Sequence, residues 1–200
     1  MIYANAVLSA LLSTSGPYAL VPPSFLRPPM AIFSGTVSIG DVLDDIQIQK
    51  QRCSDRSHLH TGFANRARRM LAQEDMTNFL KRHNNVVFGG YSLGGAVAVI
   101  AAHLAMCESL CTVRGVYTFG APAVGDDNFV QEYDTMLKER TFRYTLSQDI
   151  VPGSNWRFEH VGKHIVLKHE GKSVIDNHQL TRYAEKVVEH FDFDCELISE

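Results

Sequence analysis

The sequence predicts an α/β fold in which a mostly parallel sheet is flanked by helices. Short apolar, β-rich runs alternate with helical patterns along the chain. One such run leads through a glycine-rich turn into a helix that is apolar nearly all round, as expected for a helix buried against a sheet. The 200 residues are 45% hydrophobic and 20% charged, which indicates one folded domain and not a disordered chain.

The first thirty residues are predicted to form an N-terminal helix and a connector. Residues 2–12 are rich in apolar side chains and predict a helix that packs on the core. The proline-rich residues 17–29 predict an irregular connector. We expect residues 1–200 to form a single domain, with residues 1–30 as this N-terminal part.

The remaining elements follow in alternation. Strands are predicted where short β-rich runs are bounded by turn residues, at residues 31–33, 85–88, 116–119, 142–146 and 165–168. Helices are predicted where apolar residues recur with helical spacing, at residues 38–48, 62–83, 93–106, 127–137 and 178–190. This order is typical of a parallel sheet whose strands are connected by helices.

The charge balance argues against a nucleic-acid partner. Nineteen Lys and Arg residues stand against 22 Asp and Glu residues, whereas a nucleic-acid-binding domain needs a basic face. The apolar run at residues 6–12 is too short to span a bilayer. No Lys or Arg precedes that run, which argues against a signal peptide. We therefore expect a cytoplasmic protein and keep secretion as the alternative.

The stretch Gly90-Tyr91-Ser92-Leu93-Gly94 carries the clearest chemical signal. It joins a predicted strand to a predicted helix, which is the context of a nucleophilic serine. The sharp turn strains the backbone at the serine, and the flanking glycines let strand and helix approach without Cβ clashes. We predict Ser92 as the nucleophile, with the Leu93 N–H and the helix dipole stabilising an oxyanion. The alternative is a glycine-rich turn that only packs a helix on a strand.

A series of short blocks extends the pattern from Ala31 to Tyr183. The blocks are Phe33-Ser34-Gly35-Thr36-Val37-Ser38, His60-Thr61-Gly62-Phe63, Gly90 to Gly95, Tyr117 to Asp126, Phe142-Arg143-Tyr144, Asp149-Ile150-Val151-Pro152 and His160-Val161-Gly162. In this order they resemble the class 3 lipases, the α/β-hydrolase family of fungal triacylglycerol lipases and feruloyl esterases. The resemblance implies an α/β-hydrolase-type fold and a serine ester hydrolase that needs no cofactor and no metal.

The sequence departs from the family pattern at three positions. Ser34 stands where many members have Arg, and Tyr91 stands where His is common. Val42 stands where an Asp-Trp-Leu run is common. None of these positions is a candidate for the catalytic triad.

A nucleophilic serine needs a base, and the base needs a carboxylate that orients it. In this architecture the carboxylate follows the serine and precedes the histidine along the chain. Asp149 follows the predicted strand at residues 142–146, at the edge where such sheets bind ligands, and it matches the family's Asp-x-Val-Pro block. Its alternative role is to cap the turn that follows it. The rivals Asp126 and Asp127 fall where the family has a structural Gly-Asp or Gly-Asn.

Histidines downstream of Asp149 are the candidates for the base. They are His160, His164, His169, His178 and His190. His178 lies between the last predicted strand and the closing helix, and the family's catalytic histidine likewise precedes that helix. We predict His178 as the base, with His169 as the second choice. His160 falls in a block that is structural in the family.

The loop after the first predicted core strand supplies two further predictions. The resemblance implies Thr36 as the second oxyanion donor, through its backbone N–H; the alternative is an ordinary residue at a strand end. Residues 38–46 carry one apolar stripe, which consists of Ile39, Val42, Leu43 and Ile46. We predict that this helix is a lid over the cleft that exposes its stripe to a lipid surface when it opens. The alternative is a fixed amphipathic helix packed on the core.

Together these predictions describe a serine carboxylic-ester hydrolase that acts on acylglycerols or phospholipids through Ser92, Asp149 and His178. Its expected partners are a lipid or other ester substrate and, transiently, a membrane or lipid surface. Two alternatives stay open: a lipase-like binding module without turnover, and an esterase or acyltransferase on a non-lipid ester.

Overall fold

The computed structural model describes residues 3–35, 50–155, 157–171 and 173–196. Its strands are Tyr18–Val21 (β1), Met30–Phe33 (β2), Lys50–Arg52 (β3), His58–His60 (β4), Val86–Tyr91 (β5), Val113–Phe119 (β6), Thr141–Leu146 (β7) and Lys163–Leu167 (β8). Six of them form one sheet in the order β1-β2-β5-β6-β7-β8, and β3 pairs with β4 separately. Within the large sheet only β1 runs antiparallel to its neighbour. The predicted α/β fold with a mostly parallel sheet is confirmed.

Helices cover both faces of this sheet. They are Ala4–Ser13 (α1), Thr61–Leu71 (α2), Glu74–Arg82 (α3), Leu93–Cys107 (α4), Asp127–Leu137 (α5), Val174–Asn177 (α6) and Leu180–Glu196 (α7). Side chains of α2, α3, α4 and α5 share one core with the sheet, and those of α1 and α7 share the other. Every residue from Leu93 to Ala105 is buried, which confirms that α4 is enclosed on all sides.

The single helix predicted over residues 62–83 is wrong, because the chain breaks it into α2 and α3. Ala72 ends the first helix, and Gln73 is extended with a ψ of 138°. The apolar spacing changes at this point, so the buried Met76 does not continue the stripe that ends at Leu71. The Thr77 hydroxyl donates to the Leu71 carbonyl at 2.8 Å and satisfies one carbonyl at the first helix's end.

Three other boundaries differ from the predictions. The connector predicted for residues 17–29 contains β1, an edge strand whose prolines lie outside it, where they remove no ladder hydrogen bond. The short, polar hairpin of β3 and β4 lacks an apolar run and was not predicted. The closing helix begins at Leu180, so His178 lies in the short segment between α6 and α7.

The register of the sheet brings the site together. Phe33 pairs with Gly90, Tyr91 with Phe119, and Phe119 with Tyr144. The carboxyl ends of β2, β5, β6 and β7 therefore lie along one edge, and the loops that follow them converge there. Thr36 and the predicted lid residues lie outside the described residues. Within the described ranges, no helix is long and apolar enough to cross a membrane.

Candidate active site

Ser92 occupies a strained turn between β5 and α4. Its φ of 54° and ψ of −129° lie outside the regions that residues with a Cβ normally adopt. A Cβ on Gly90 would collide with the Gly94 carbonyl, and one on Gly94 would collide with the Phe33 carbonyl. Only glycines therefore allow β5, α4 and the end of β2 to approach this closely, and the turn directs Ser92 toward the loops at the sheet edge.

Three of the predicted site residues form a continuous hydrogen-bonded path. Ser92 Oγ lies 2.8 Å from His178 Nε2, and His178 Nδ1 lies 2.7 Å from Asp149 Oδ2. Because the carboxylate accepts the Nδ1 proton, Nε2 is left as the acceptor for the serine hydroxyl. The side chains of His178 and Asp149 are 2% and 0% exposed, so this polar path is shielded from water.

Both oxygens of the Asp149 carboxylate accept hydrogen bonds. Oδ1 accepts the Val151 N–H at 2.9 Å, and Oδ2 accepts the Tyr183 hydroxyl at 2.6 Å in addition to His178. The Tyr183 oxygen in turn accepts the Leu146 N–H at 3.1 Å. Burial and the charge of Asp149 raise the pKa of Tyr183 well above its ordinary value, so its hydroxyl stays a donor. These bonds fix the carboxylate that orients the histidine.

Tyr91 holds His178 from the side of the serine turn. Its ring stacks on the His178 ring at a centroid separation of 5.0 Å, and its hydroxyl donates to the His178 carbonyl. Burial, followed by the charge of Asp149, raises the pKa of Tyr91 above its ordinary value, so it too remains protonated. The imidazole is thus held by its ring nitrogens, its face and its backbone.

Of the two predicted oxyanion donors, Leu93 lies among the described residues. Leu93 contributes the first N–H of α4, which precedes the first hydrogen bond of that helix and points from its positive end. Gly35 brings the chain close to the serine, because a Cβ on Gly35 would lie 3.1 Å from Ser92 Cβ. The chain therefore passes beside the serine immediately before Thr36.

The remaining candidates have other surroundings. His160 Nε2 donates to the Pro152 carbonyl at 2.9 Å, and His169 Nε2 lies 3.8 Å from Asp176 Oδ2. Asp126 caps α5 by accepting the Phe129 N–H at 3.0 Å. Among the described residues, no hydrogen bond or ion pair joins these three side chains to Ser92 or Asp149. In the described part of the chain, no group of three or more His, Cys, Asp or Glu residues could hold a metal ion.

Three residues that lie against Asp149 or His178 were not predicted from the sequence. Tyr183 is only the end of the stretch that resembles the family, within the predicted closing helix, and Tyr91 is only a departure from the family pattern. Gly120, at the end of β6, has a φ of 59°, and a Cβ there would lie 2.9 Å from both Asp149 Oδ2 and His178 Cε1. The glycine within the Phe119-Gly120-Ala121-Pro122 block was the available signal for this close approach.

A comparison with protein families gives one match. The model of the family Lipase (class 3) matches residues 30–157. That stretch contains Ser92 and Asp149, whereas His178 follows it.

Parts of the chain are similar in sequence to curated proteins. The triacylglycerol lipase OBL1 of Ricinus communis is 34% identical over 106 residues, which make up 46% of this chain and 20% of that protein. The triacylglycerol lipase OBL1 of Nicotiana tabacum is 27% identical over 165 residues, 77% of this chain and 28% of that protein. The toxin TseL of Vibrio cholerae is 29% identical over 110 residues, 55% of this chain and 16% of that protein. The chain therefore spans less than a third of the length of each of these relatives.

Solved structures share the fold. The triacylglyceride lipase of Rhizomucor miehei superposes with a TM-score of 0.64 at 22% identity, covering 75% of this chain and 61% of its own. Lipase II of Rhizopus niveus superposes with a TM-score of 0.64 at 18% identity, covering 88% of each chain. These similarities confirm the predicted α/β-hydrolase-type fold.

Proposed function

The chain belongs to the class 3 lipase family, and from that membership we propose that it is a serine ester hydrolase acting on lipid esters. The observation that carries the proposal is the hydrogen-bonded path from Ser92 through His178 to Asp149. A nucleophile, a base and an orienting carboxylate within hydrogen-bond distance form the arrangement that acyl transfer to serine requires.

The proposed reaction proceeds through an acyl-enzyme. His178 Nε2 takes the Ser92 proton while Oγ attacks the ester carbonyl, and Asp149 stabilises the imidazolium that results. The imidazolium then protonates the departing alcohol. A water molecule, activated by the same nitrogen, attacks the acyl-enzyme and releases the carboxylic acid together with free Ser92.

The tetrahedral intermediates need donors for their oxyanion. Leu93 N–H, at the start of α4, is one proposed donor, and Thr36 N–H is the other. The position of Gly35 beside Ser92 supports the second assignment, because Thr36 is the next residue in the chain.

We propose acylglycerols or phospholipids as the substrate class. The names of the plant relatives, which are triacylglycerol lipases, support this class. Ser92 is 1% exposed, so access to it depends on the segments around it. We propose residues 38–46, with the stripe of Ile39, Val42, Leu43 and Ile46, as a lid and as the transient contact with a lipid surface.

The alternative of a binding module without turnover is disfavoured by the polar contacts of the triad. A module that binds without turnover has no need of a serine at φ 54° or of a carboxylate with donors on both oxygens. Such buried and strained polar features are typical of catalytic sites.

Labelling with a fluorophosphonate probe tests the enzyme proposal directly. The wild-type protein should label and hydrolyse esters, and Ser92→Ala should lose both while keeping its circular dichroism spectrum. The expected loss in kcat is about 10⁴–10⁶-fold. Residual hydrolysis by Ser92→Ala above about a tenth of wild type would refute Ser92 as the nucleophile.

A series of esters of increasing chain length then tests the substrate class. A lipase should hydrolyse emulsified long-chain acylglycerols or phospholipids, whereas an esterase should act on soluble short-chain esters alone. Activity confined to the short esters would therefore leave the triad in place and reject the lipid substrate.

A further inference from the structure

A second cleft lies beside the active site, between the sheet and the loop that follows Asp149. Arg143 and Thr145 of β7 pair with His164 and Val166 of β8, so these side chains share one face of the sheet. The cleft that they line together with Pro152, Gly153, Asn155 and residues 158–160 has a volume of about 470 Å³ and opens to solvent. This volume is within the range of small-molecule sites.

The cleft contains a cation, Arg143, that has no counter-ion among the described residues. Arg143 is 9% exposed, and its Nε is buried without a hydrogen-bond partner. No ion pair of the described residues involves its guanidinium. Burial lowers the pKa of Arg143 to about 10, which still leaves it charged at neutral pH. A buried charge without a partner is costly, so a complementary anion would stabilise this site.

The two carboxylates that border the cleft do not neutralise Arg143. The Asp149 side chain is 0% exposed and its oxygens accept from Val151, His178 and Tyr183, so Asp149 borders the cleft with its backbone. Glu159 is exposed, and within the described residues its carboxylate makes no ion pair. The positive charge is therefore available to a ligand.

The other residues that line the cleft indicate which kind of anion it would bind. Much of it is apolar, from Ala123, Leu146, Pro152, Phe158 and Val166. A planar guanidinium pairs with a carboxylate through two parallel hydrogen bonds, and one permanent charge matches a monoanion. Asn155 Oδ1 is also buried without a partner, and it offers an acceptor to a water or hydroxyl that accompanies the anion.

We propose that this cleft binds a monocarboxylate with an apolar tail, whose carboxylate pairs with Arg143. Acids of this class are what ester hydrolysis at Ser92 would release, and this identification of the source rests on the proposed function. The binding itself does not, because it needs only Arg143 and the apolar wall.

Isothermal titration calorimetry of the full chain with octanoate tests the proposal without any turnover. Octanoate should bind saturably, and Arg143→Gln should weaken its affinity at least tenfold. Lys168→Gln is the matched control, since it removes one positive charge from an exposed residue just beyond β8. That variant should stay within twofold of wild type. Octanamide, which has the same tail without the charge, should bind at least tenfold more weakly than octanoate.

Three results would overturn the proposal: equal octanoate affinity in Arg143→Gln and wild type, equal affinity for octanamide and octanoate, or Arg143-dependent binding of inorganic phosphate without binding of octanoate.

Arg143→Lys covers the case in which Arg143→Gln does not fold. It keeps the charge but loses the planar pair of donors, so its octanoate affinity should fall below that of the wild type. Octanoate binding with no ester hydrolysis would reject the proposed function alone, and hydrolysis without octanoate binding would reject the cleft alone.

Discussion

His178 is held at each polar atom of its ring and backbone. Its Nδ1 donates to Asp149, its Nε2 faces Ser92, its carbonyl accepts from Tyr91, and its N–H donates to the Ile175 carbonyl at 3.2 Å. A side chain held in this way has one orientation and one tautomer, which is what a general base needs before substrate arrives.

At the residue scale, His178→Ala should be as damaging as Ser92→Ala, whereas His169→Ala should be mild. His169 contacts Asp176 and the Ser147 hydroxyl, which donates to its carbonyl at 2.8 Å, and it does not touch the triad. Steady-state hydrolysis of one soluble ester by both variants measures the difference. If His169→Ala proves the more damaging substitution, the base is misassigned.

The sequence predicts Ser92, Asp149 and His178 because each has a local context of its own: a turn, a strand end and a helix start. Tyr183 has no such context, and the turn that contains Tyr91 indicates a role for its neighbour Ser92 and not for Tyr91 itself. The roles of both tyrosines depend on which side chains the fold brings within about 3 Å of a hydroxyl, and helical or strand periodicity carries no information on that distance. Tyr183 therefore resembles any buried aromatic residue of an amphipathic helix until the sheet register is known.

At the scale of the element, Asp126 joins α5 to the β3–β4 hairpin. Its carboxylate accepts the N–H groups of Phe129 and His58 and lies 3.0 Å from His58 Nδ1. Burial pushes the pKa of Asp126 up, but the hydrogen bonds from His58 and Phe129 outweigh it and lower the pKa. The carboxylate is therefore structural, as the family block implied.

Asp126→Ala should lower the free energy of unfolding by about 1–2 kcal/mol through the lost cap, with hydrolysis largely retained. Urea denaturation gives the free energy, and an ester assay on the same sample gives the activity. The neighbouring Asp127→Ala removes an exposed carboxylate from the same helix start and should cost less than about 1 kcal/mol. Equal losses in the two variants would show that the hydrogen bonds of Asp126 contribute nothing specific.

The proposed lid at residues 38–46 is tested by Val42→Asp. A charge on the apolar stripe should weaken hydrolysis of emulsified long-chain esters and spare soluble short-chain ones, because only the former require contact with a lipid surface. Asp44→Asn, on the polar side, should leave both activities unchanged. An equal loss on both substrates with a lower melting temperature would indicate a core helix instead.

The alternation of strands and helices could be predicted because the central strands and α4 are continuous apolar runs. Each run has the residue spacing or length of one type of secondary structure. The elements that were missed are short and lie at edges. β1 is four residues between prolines, and β3 and β4 are three residues each and mostly polar. Pairing with a neighbouring strand, and not local sequence, stabilises such edge strands, so their own residues give little indication of them.

At the scale of the whole molecule, His160 links stability to pH. Burial, and then the charges of Arg143 and His164, lower the pKa of His160 from its ordinary 6.5 to about 4, although its hydrogen bond to the Pro152 carbonyl opposes the shift. The folded protein thus keeps His160 neutral at a pH where the unfolded chain binds a proton. The contribution of His160 to stability is complete above about pH 6.5 and is lost as the pH falls toward 4.

The expected loss from His160 across this window is about 3 kcal/mol, from 1.36 kcal/mol for each unit of the shift. His160→Gln should flatten the fall in unfolding free energy between pH 6.5 and 4, as measured by urea denaturation at fixed ionic strength. His190→Gln, on α7, should keep the slope of the wild type. If His160→Gln and wild type fall in parallel, other groups cause the acid sensitivity.

Tyr91 lies in the same turn as Ser92, yet its hydroxyl and ring hold His178, 87 residues further along the chain. We therefore expect Ser92 and His178 to move together when the sheet fluctuates. Thermal fluctuations should then vary the positions of the surrounding loops more than the separation of Ser92 Oγ and His178 Nε2. In native-state hydrogen exchange, the amides around Ser92 and His178 should consequently open together, with one common free energy.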